Sequence, residues 1–85
     1  MRYSVREDDA GHHAWQKLRD DGLGPAVFLD GVEVKEVATA DDEIGYVLRY
    51  VLNSDGLPQI DPSDRSKAWT EEVFGRVRFE LRKLP

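Results

Sequence analysis

The chain has 85 residues, 40% hydrophobic and 34% charged, with no cysteine and a formal net charge of −5. That length and composition make one small folded domain over residues 1–85 with a modest core, and the missing cysteine excludes disulfides, thiolate metal sites, cysteine nucleophiles and iron–sulfur clusters. The acidic balance disfavours nonspecific binding to nucleic acid or anionic lipid, and no apolar run approaches the ~18 residues that span a bilayer.

In chain order, RYSVRE (2–7) sets Tyr3 and Val5 against Arg2, Ser4 and Arg6, the alternation of a half-buried strand. Residues 8–22 change period. Ala14, Trp15 and Leu18 fall at helical spacing, acids lead and Gly22 follows, so a short helix is expected, with Gly11 weakening its first turn. Residues 23–40 read as a hairpin about Asp30-Gly31, because both residues tolerate the positive φ of a type I′ turn. Its second strand places Val32, Val34 and Ala38 on one face and Glu33, Lys35 and Thr39 on the other. Val37 breaks that alternation, which predicts a bulge or bend near Glu36.

ADDE (40–43) makes the next turn. Residues 44–52 then alternate, with Ile44, Tyr46, Leu48, Tyr50 and Leu52 on the expected main apolar face and Val47 and Val51 on the other, the pattern of a central strand covered on both sides. NSDG (53–56) turns the chain, and Pro58 confines 57–60 to an edge or a loop. Asp61-Pro62 has the look of a helix start, but poor apolar spacing beyond it leaves one helical turn at most in 61–69. Residues 69–82 read as one last strand, with Val73, Gly75, Val77, Phe79 and Leu81 facing one way. DDEIGYVLRYVL and TEEVFGRVRFEL echo each other, as two strands of one sheet would. The expected fold is mainly β, or α+β with one short N-terminal helix. Its five or six antiparallel strands curl into a roll or small barrel with the helix as a plug.

No catalytic constellation emerges. His12 and His13 are adjacent and point apart on a helix, and no third ligand is spaced for a metal. The acidic clusters lack the register of an EF-hand loop. No GxSxG, GxGxxG or P-loop is present. The expectation is a noncatalytic chain with neither cofactor nor metal.

Three groups remain as candidate surfaces. Asp41, Asp42 and Glu43 are ordinary turn residues or a charged strip for a basic partner. Trp15 and Trp69 cover the ends of a small core or, if exposed, anchor a partner. Arg76, Arg78 and Arg82 form a stripe on the last strand. With Phe74 and Tyr50 beside it, the stripe suggests a nucleic-acid-binding face; with Glu33, Glu36 or Glu80 across the sheet, a solvated, ion-paired one. Charge is uneven: residues 1–72 carry 8 basic and 16 acidic side chains, a net of −8, whereas residues 73–85 carry a net of +3.

The hairpin VFLDGVEVKEVATADDEIGYVLRY and the strand FGRVRFEL resemble small bacteriophage- and prophage-encoded proteins of proteobacteria. They share an apolar-Asp-Gly hairpin, an acid-rich turn, a glycine, an aromatic-rich strand and a closing G-x-V strand. The resemblance covers residues 26–52 and 73–81 and implies an accessory protein acting inside a bacterial host. Cysteine-free composition points the same way, to a reducing compartment and a cytoplasmic location, and MRYSVREDDAGHH holds no apolar core of signal-peptide length. The leading expectation is a protein-binding module. A subunit that self-associates through an exposed strand edge, 2–7 or 57–60, is the second. A weak nucleic-acid binder using the arginine stripe is the third.

Overall fold

A computed structural model describes all 85 residues, Met1–Pro85. The fold is mainly β with one helix, as expected. Nine strands form: β1 (Arg2–Ser4), β2 (Leu23–Leu29), β3 (Val32–Val34), β4 (Val37–Asp41), β5 (Tyr46–Tyr50), β6 (Ile60–Asp61), β7 (Asp64–Ala68), β8 (Thr70–Phe74) and β9 (Val77–Lys83), with α1 at His12–Asp20. All pairings are antiparallel. They make a four-stranded sheet β1-β4-β5-β8, a three-stranded sheet β3-β2-β9 and a two-stranded arm β6-β7. The strands outnumber the expected five or six, and the sheets do not close into a barrel.

The hairpin forms as its turn chemistry dictates. Asp30 and Gly31 take φ 51° and 84°, and Leu29 pairs with Val32 across them. The bend near Glu36 forms too. Glu36 has φ 56°, and the register slips between Val37 and Thr39. There the chain leaves the three-stranded sheet as β3 and enters the four-stranded sheet as β4. A second crossing occurs at Gly75–Arg76, where the expected single strand 69–82 divides into β8 and β9. Alternation runs unbroken through Val73, Gly75, Val77 and Phe79, so hydrophobic period alone does not register a strand that changes sheets. The tip of the first hairpin secures this second corner: Asp30 N–H donates to the Arg76 carbonyl and Arg76 N–H to Asp30 Oδ1, both at 2.9 Å.

The core lies between the two main sheets. Val27 and Val77 from one meet Ala40 and Val47 from the other, flanked by Leu29, Val34, Val37, Val73 and Phe79. Residues 44–52 therefore present the opposite face from the one expected. Val47 is wholly buried while Ile44 is 65% exposed. Both faces are nonetheless covered at mid-strand, since Leu48 is buried as well. The first strand ends at Ser4, whose hydroxyl shares a buried 2.7 Å hydrogen bond with Thr39. Only ten residues are buried, a small core for which corners and polar contacts weigh heavily.

The glycines of the two echoing segments lie side by side. β5 and β8 pair with Tyr46 opposite Phe74, and one step on Gly75 N–H donates to the Gly45 carbonyl at 3.1 Å. In 61–69 the expected helical turn is replaced by the β6-β7 hairpin. Asp61 Oδ1 accepts Ser63 N–H at 2.8 Å and the Ser63 hydroxyl at 2.7 Å. Asp-Pro-Ser suits a tight turn as well as a helix start, and cross-strand pairing of Ile60 with Ala68 selects the turn.

A candidate protein-binding cleft

The bend at Glu36 opens an angle between β3 and the end of β5. Tyr50 N–H donates to the Glu36 carbonyl at 2.9 Å and pins the apex. A cleft of about 510 Å³ occupies the angle, lined by Leu29, Val32, Glu33, Val34 and Lys35 on one wall and Arg49, Tyr50, Val51, Leu52 and Glu71 on the other. That volume lies within the range of small-ligand and peptide pockets. Four consecutive residues, 32–35, line it. Successive strand side chains point to opposite faces, so a surface touching all four meets the strand along its edge. That edge is free: β3 pairs only with β2. Leu29 and Val32 flank a two-residue turn and form the hydrogen-bonded pair, which directs the N–H and C=O of Glu33 outward.

The cleft is apolar within and charge-balanced at its rim. Val32 is 69% exposed. Lys35 Nζ donates to Glu33 Oε2 at 2.7 Å and Arg49 Nε to Glu71 Oε1 at 2.7 Å. Lys35 first, and Arg82 behind it, hold the Glu33 carboxyl below its usual range. The rim therefore carries both signs already matched, and what it leaves open is apolar surface and a strand edge.

The sequence-derived candidates do not converge on this cleft. Asp41 is only 8% exposed. Its Oδ1 accepts Glu43 N–H at 2.9 Å and Ile44 N–H at 3.4 Å, and Arg2 lies 3.5 Å from Oδ2. Burial pushes its pKa up, but the two backbone N–H groups and Arg2 outweigh that and hold it below the ordinary value. Asp42 and Glu43 are exposed, and the terminal amine sits 2.7 Å and 3.2 Å from them. Asp41 is thus a turn cap rather than part of an open strip.

Trp15 lines a small hollow with Tyr3, Val5, Pro25, Val27 and Ala40, covering an open end of the core, and the Arg19 guanidinium lies over its ring. Trp69, 36% exposed, is tied through its carbonyl to Val51 N–H at 2.9 Å, beside the cleft but not in its lining. His12 Nδ1 lies 3.3 Å from the Ser4 carbonyl, and no group of three His, Asp or Glu side chains converges to hold a metal.

The arginine stripe meets a different aromatic from those expected. Arg78 lies 4.2 Å and Arg82 5.8 Å from the centroid of Phe28, while Phe74 packs on Tyr46. Arg82 is held by Glu80 at 3.1 Å and Glu33 at 3.3 Å. Arg76 shares an open hollow with Asp30, Gly31 and Arg78.

The cleft residues escaped sequence reasoning because Val32 and Val34 read as ordinary inward residues. The available signal was the bend at Glu36, which frees an edge wherever a strand changes sheets. No helix is long and apolar enough to cross a membrane. Comparison of the chain with protein-family models, curated proteins and solved structures finds no match.

Proposed function

We propose that the protein is a noncatalytic binding module that takes an extended, apolar segment of a protein partner into the cleft between its sheets. The observation that carries this reading is that all three residues of β3, and Lys35 after them, line one cleft. An incoming strand pairs with the β3 edge, main chain to main chain, and sets alternate side chains against Val32, Val34, Tyr50 and Leu52. The balanced rim selects against strongly charged partners. Recognition through Asp41, Asp42 and Glu43 is the weaker reading, because Asp41 is mostly buried and occupied by the turn N–H groups of Glu43 and Ile44. Nucleic-acid binding is weaker as well, since Glu80 and Glu33 hold Arg82. The phage or prophage setting, inside a bacterial cell, rests on the resemblance of residues 26–52 and 73–81, and binding through the cleft does not depend on it.

Selection from a displayed random-peptide library tests the reading. Extended sequences with alternating apolar residues are expected, lost with Val32→Glu and retained with Arg76→Glu. No enrichment, or enrichment that ignores Val32→Glu, contradicts it.

A further inference from the structure

The longest open strand edge lies on β9. Two of the other sheet edges, β1 and β3, have three residues each, and β8 carries Glu71 and Glu72, which oppose self-pairing. β9 has seven residues, pairs with β2 on one side and has no strand on the other. Its hydrogen-bond phase is fixed by the flanking bonds: Asp30 N–H to the Arg76 carbonyl and Leu84 N–H to the Gly22 carbonyl, both at 2.9 Å. The even residues Arg78, Glu80 and Arg82 therefore turn their backbone groups toward β2. Pro25, which has no N–H, stands opposite Leu81, consistent with that phase. The odd residues Val77, Phe79, Leu81 and Lys83 turn theirs outward. The edges expected to self-associate, 2–7 and 57–60, are already engaged: on the side of β1 away from β4, Ser4 N–H donates to the Gly11 carbonyl at 3.2 Å, and Gln59 bonds Val51 on one side and Trp69 on the other.

We infer that β9 pairs antiparallel with β9 of a second copy of this chain, in a register centred on Leu81, to make one six-stranded sheet across a two-fold axis. Charge complementarity selects the occupant and the register. Centred on Leu81, Glu80 stands opposite the partner's Arg82 and Arg82 opposite the partner's Glu80. These are non-hydrogen-bonded positions, where side chains approach most closely. Leu81, 50% exposed in the single chain, meets the partner's Leu81. Centring on Glu80 instead sets Glu80 against the partner's Glu80 and Arg78 against the partner's Arg82. Centring on Phe79 sets Arg82 against the partner's Arg76. Only the Leu81 register matches opposite charges and opposes none. β3 is the far edge of the same sheet, so this pairing leaves the cleft open and does not rest on the cleft's proposed role.

Sedimentation velocity over a concentration series tests the inference. The wild-type mass should rise from 9.7 kDa toward twice that value. Leu81→Pro should stay at the single-chain mass with unchanged circular dichroism, because the lost N–H is not one that β2 uses. Arg82→Glu and Glu80→Arg should each raise the dissociation midpoint about tenfold, and the double variant should restore it. Arg82→Glu also separates the registers, since it would strengthen a pairing centred on Phe79. Leu81→Cys should oxidise to a single disulfide-linked dimer, because hydrogen-bonded partners lie about 5.5 Å apart at Cα and the chain has no other cysteine. A wild-type mass that never leaves 9.7 kDa, or a dimer indifferent to Leu81→Pro, overturns the inference.

Discussion

Replacing Gly45 with alanine should be among the most damaging single-methyl changes in this protein. Gly45 has φ 68°, in the region where a side chain costs roughly 1–2 kcal/mol. A Cβ there would also run into the Gly75 carbonyl oxygen. That oxygen belongs to the backbone of the corner between β8 and β9, so it cannot swing aside as a flexible side chain would. Relieving such overpacking costs about 1–3 kcal/mol. The hydrogen bond from Gly75 N–H to the Gly45 carbonyl is put at risk as well, worth about 1 kcal/mol. The total is about 3 kcal/mol or more, which for a domain of this size lowers Tm by roughly 12–24 °C. Gly31→Ala is the control. Gly31 also has positive φ, 84°, but nothing lies within 4 Å of its would-be Cβ, so only the same backbone term of roughly 1–2 kcal/mol remains and Tm falls by roughly 4–16 °C, less than at Gly45 by the overpacking and hydrogen-bond terms. Thermal melts followed by circular dichroism compare the two. Equal losses at Gly31 and Gly45 would refute the close approach of the two glycines and, with it, the pairing of β5 and β8 at this corner.

Other consequences can be measured on the same material. Ser4→Ala or Thr39→Val leaves a buried hydroxyl without its partner and should cost about 1–2 kcal/mol, whereas the double variant should cost less than the sum; additive losses in denaturant titrations would remove the Ser4–Thr39 bond from the account. Asp41→Ala should cost about 1–2 kcal/mol through the turn N–H groups it strands, and Asp42→Ala should leave Tm nearly unchanged; the reverse order would restore the acidic run as an open strip. Arg2, through two 2.8 Å hydrogen bonds, lowers Asp9 from 3.8 to about 2. Because the folded value lies below the unfolded one, this contribution is fully present above pH 3.8 and is lost as pH falls toward 2. A full shift is roughly 2 kcal/mol, and solvent screening reduces it to about 1. Asp9→Asn should flatten the acid limb of the stability curve, and an unchanged limb contradicts the pairing.

Turn chemistry was the most legible part of this sequence. Asp30-Gly31 and the turn at 53–56 occur where residue identity demands them, because each depends on local backbone conformation, and the bend near Glu36 occurs where Val37 breaks the alternation. The strand faces were less legible. Tyr46, Leu48 and Tyr50 outweigh Val47 in bulk, so pattern reading assigns them the core, yet the space between the sheets is filled by Val27, Ala40, Val47 and Val77. The division of 69–82 was invisible to periodicity, though the glycine shared by the two echoing segments marked its position. The cleft was the least legible feature. It arises from where β3 and β5 sit after the bend at Glu36, and no single segment encodes it. Asp41, by contrast, was singled out for its charge and proves to be spent on the turn it begins.

The most direct test of the cleft as the working surface is amide hydrogen exchange, followed residue by residue with and without a selected apolar peptide. Binding by strand addition at β3 predicts that the Glu33 amide, open in the free protein, becomes strongly protected, with shift changes at Val32, Val34, Tyr50 and Leu52. Protection confined to 41–43 or to 76–82, with Glu33 still exchanging freely, would contradict it.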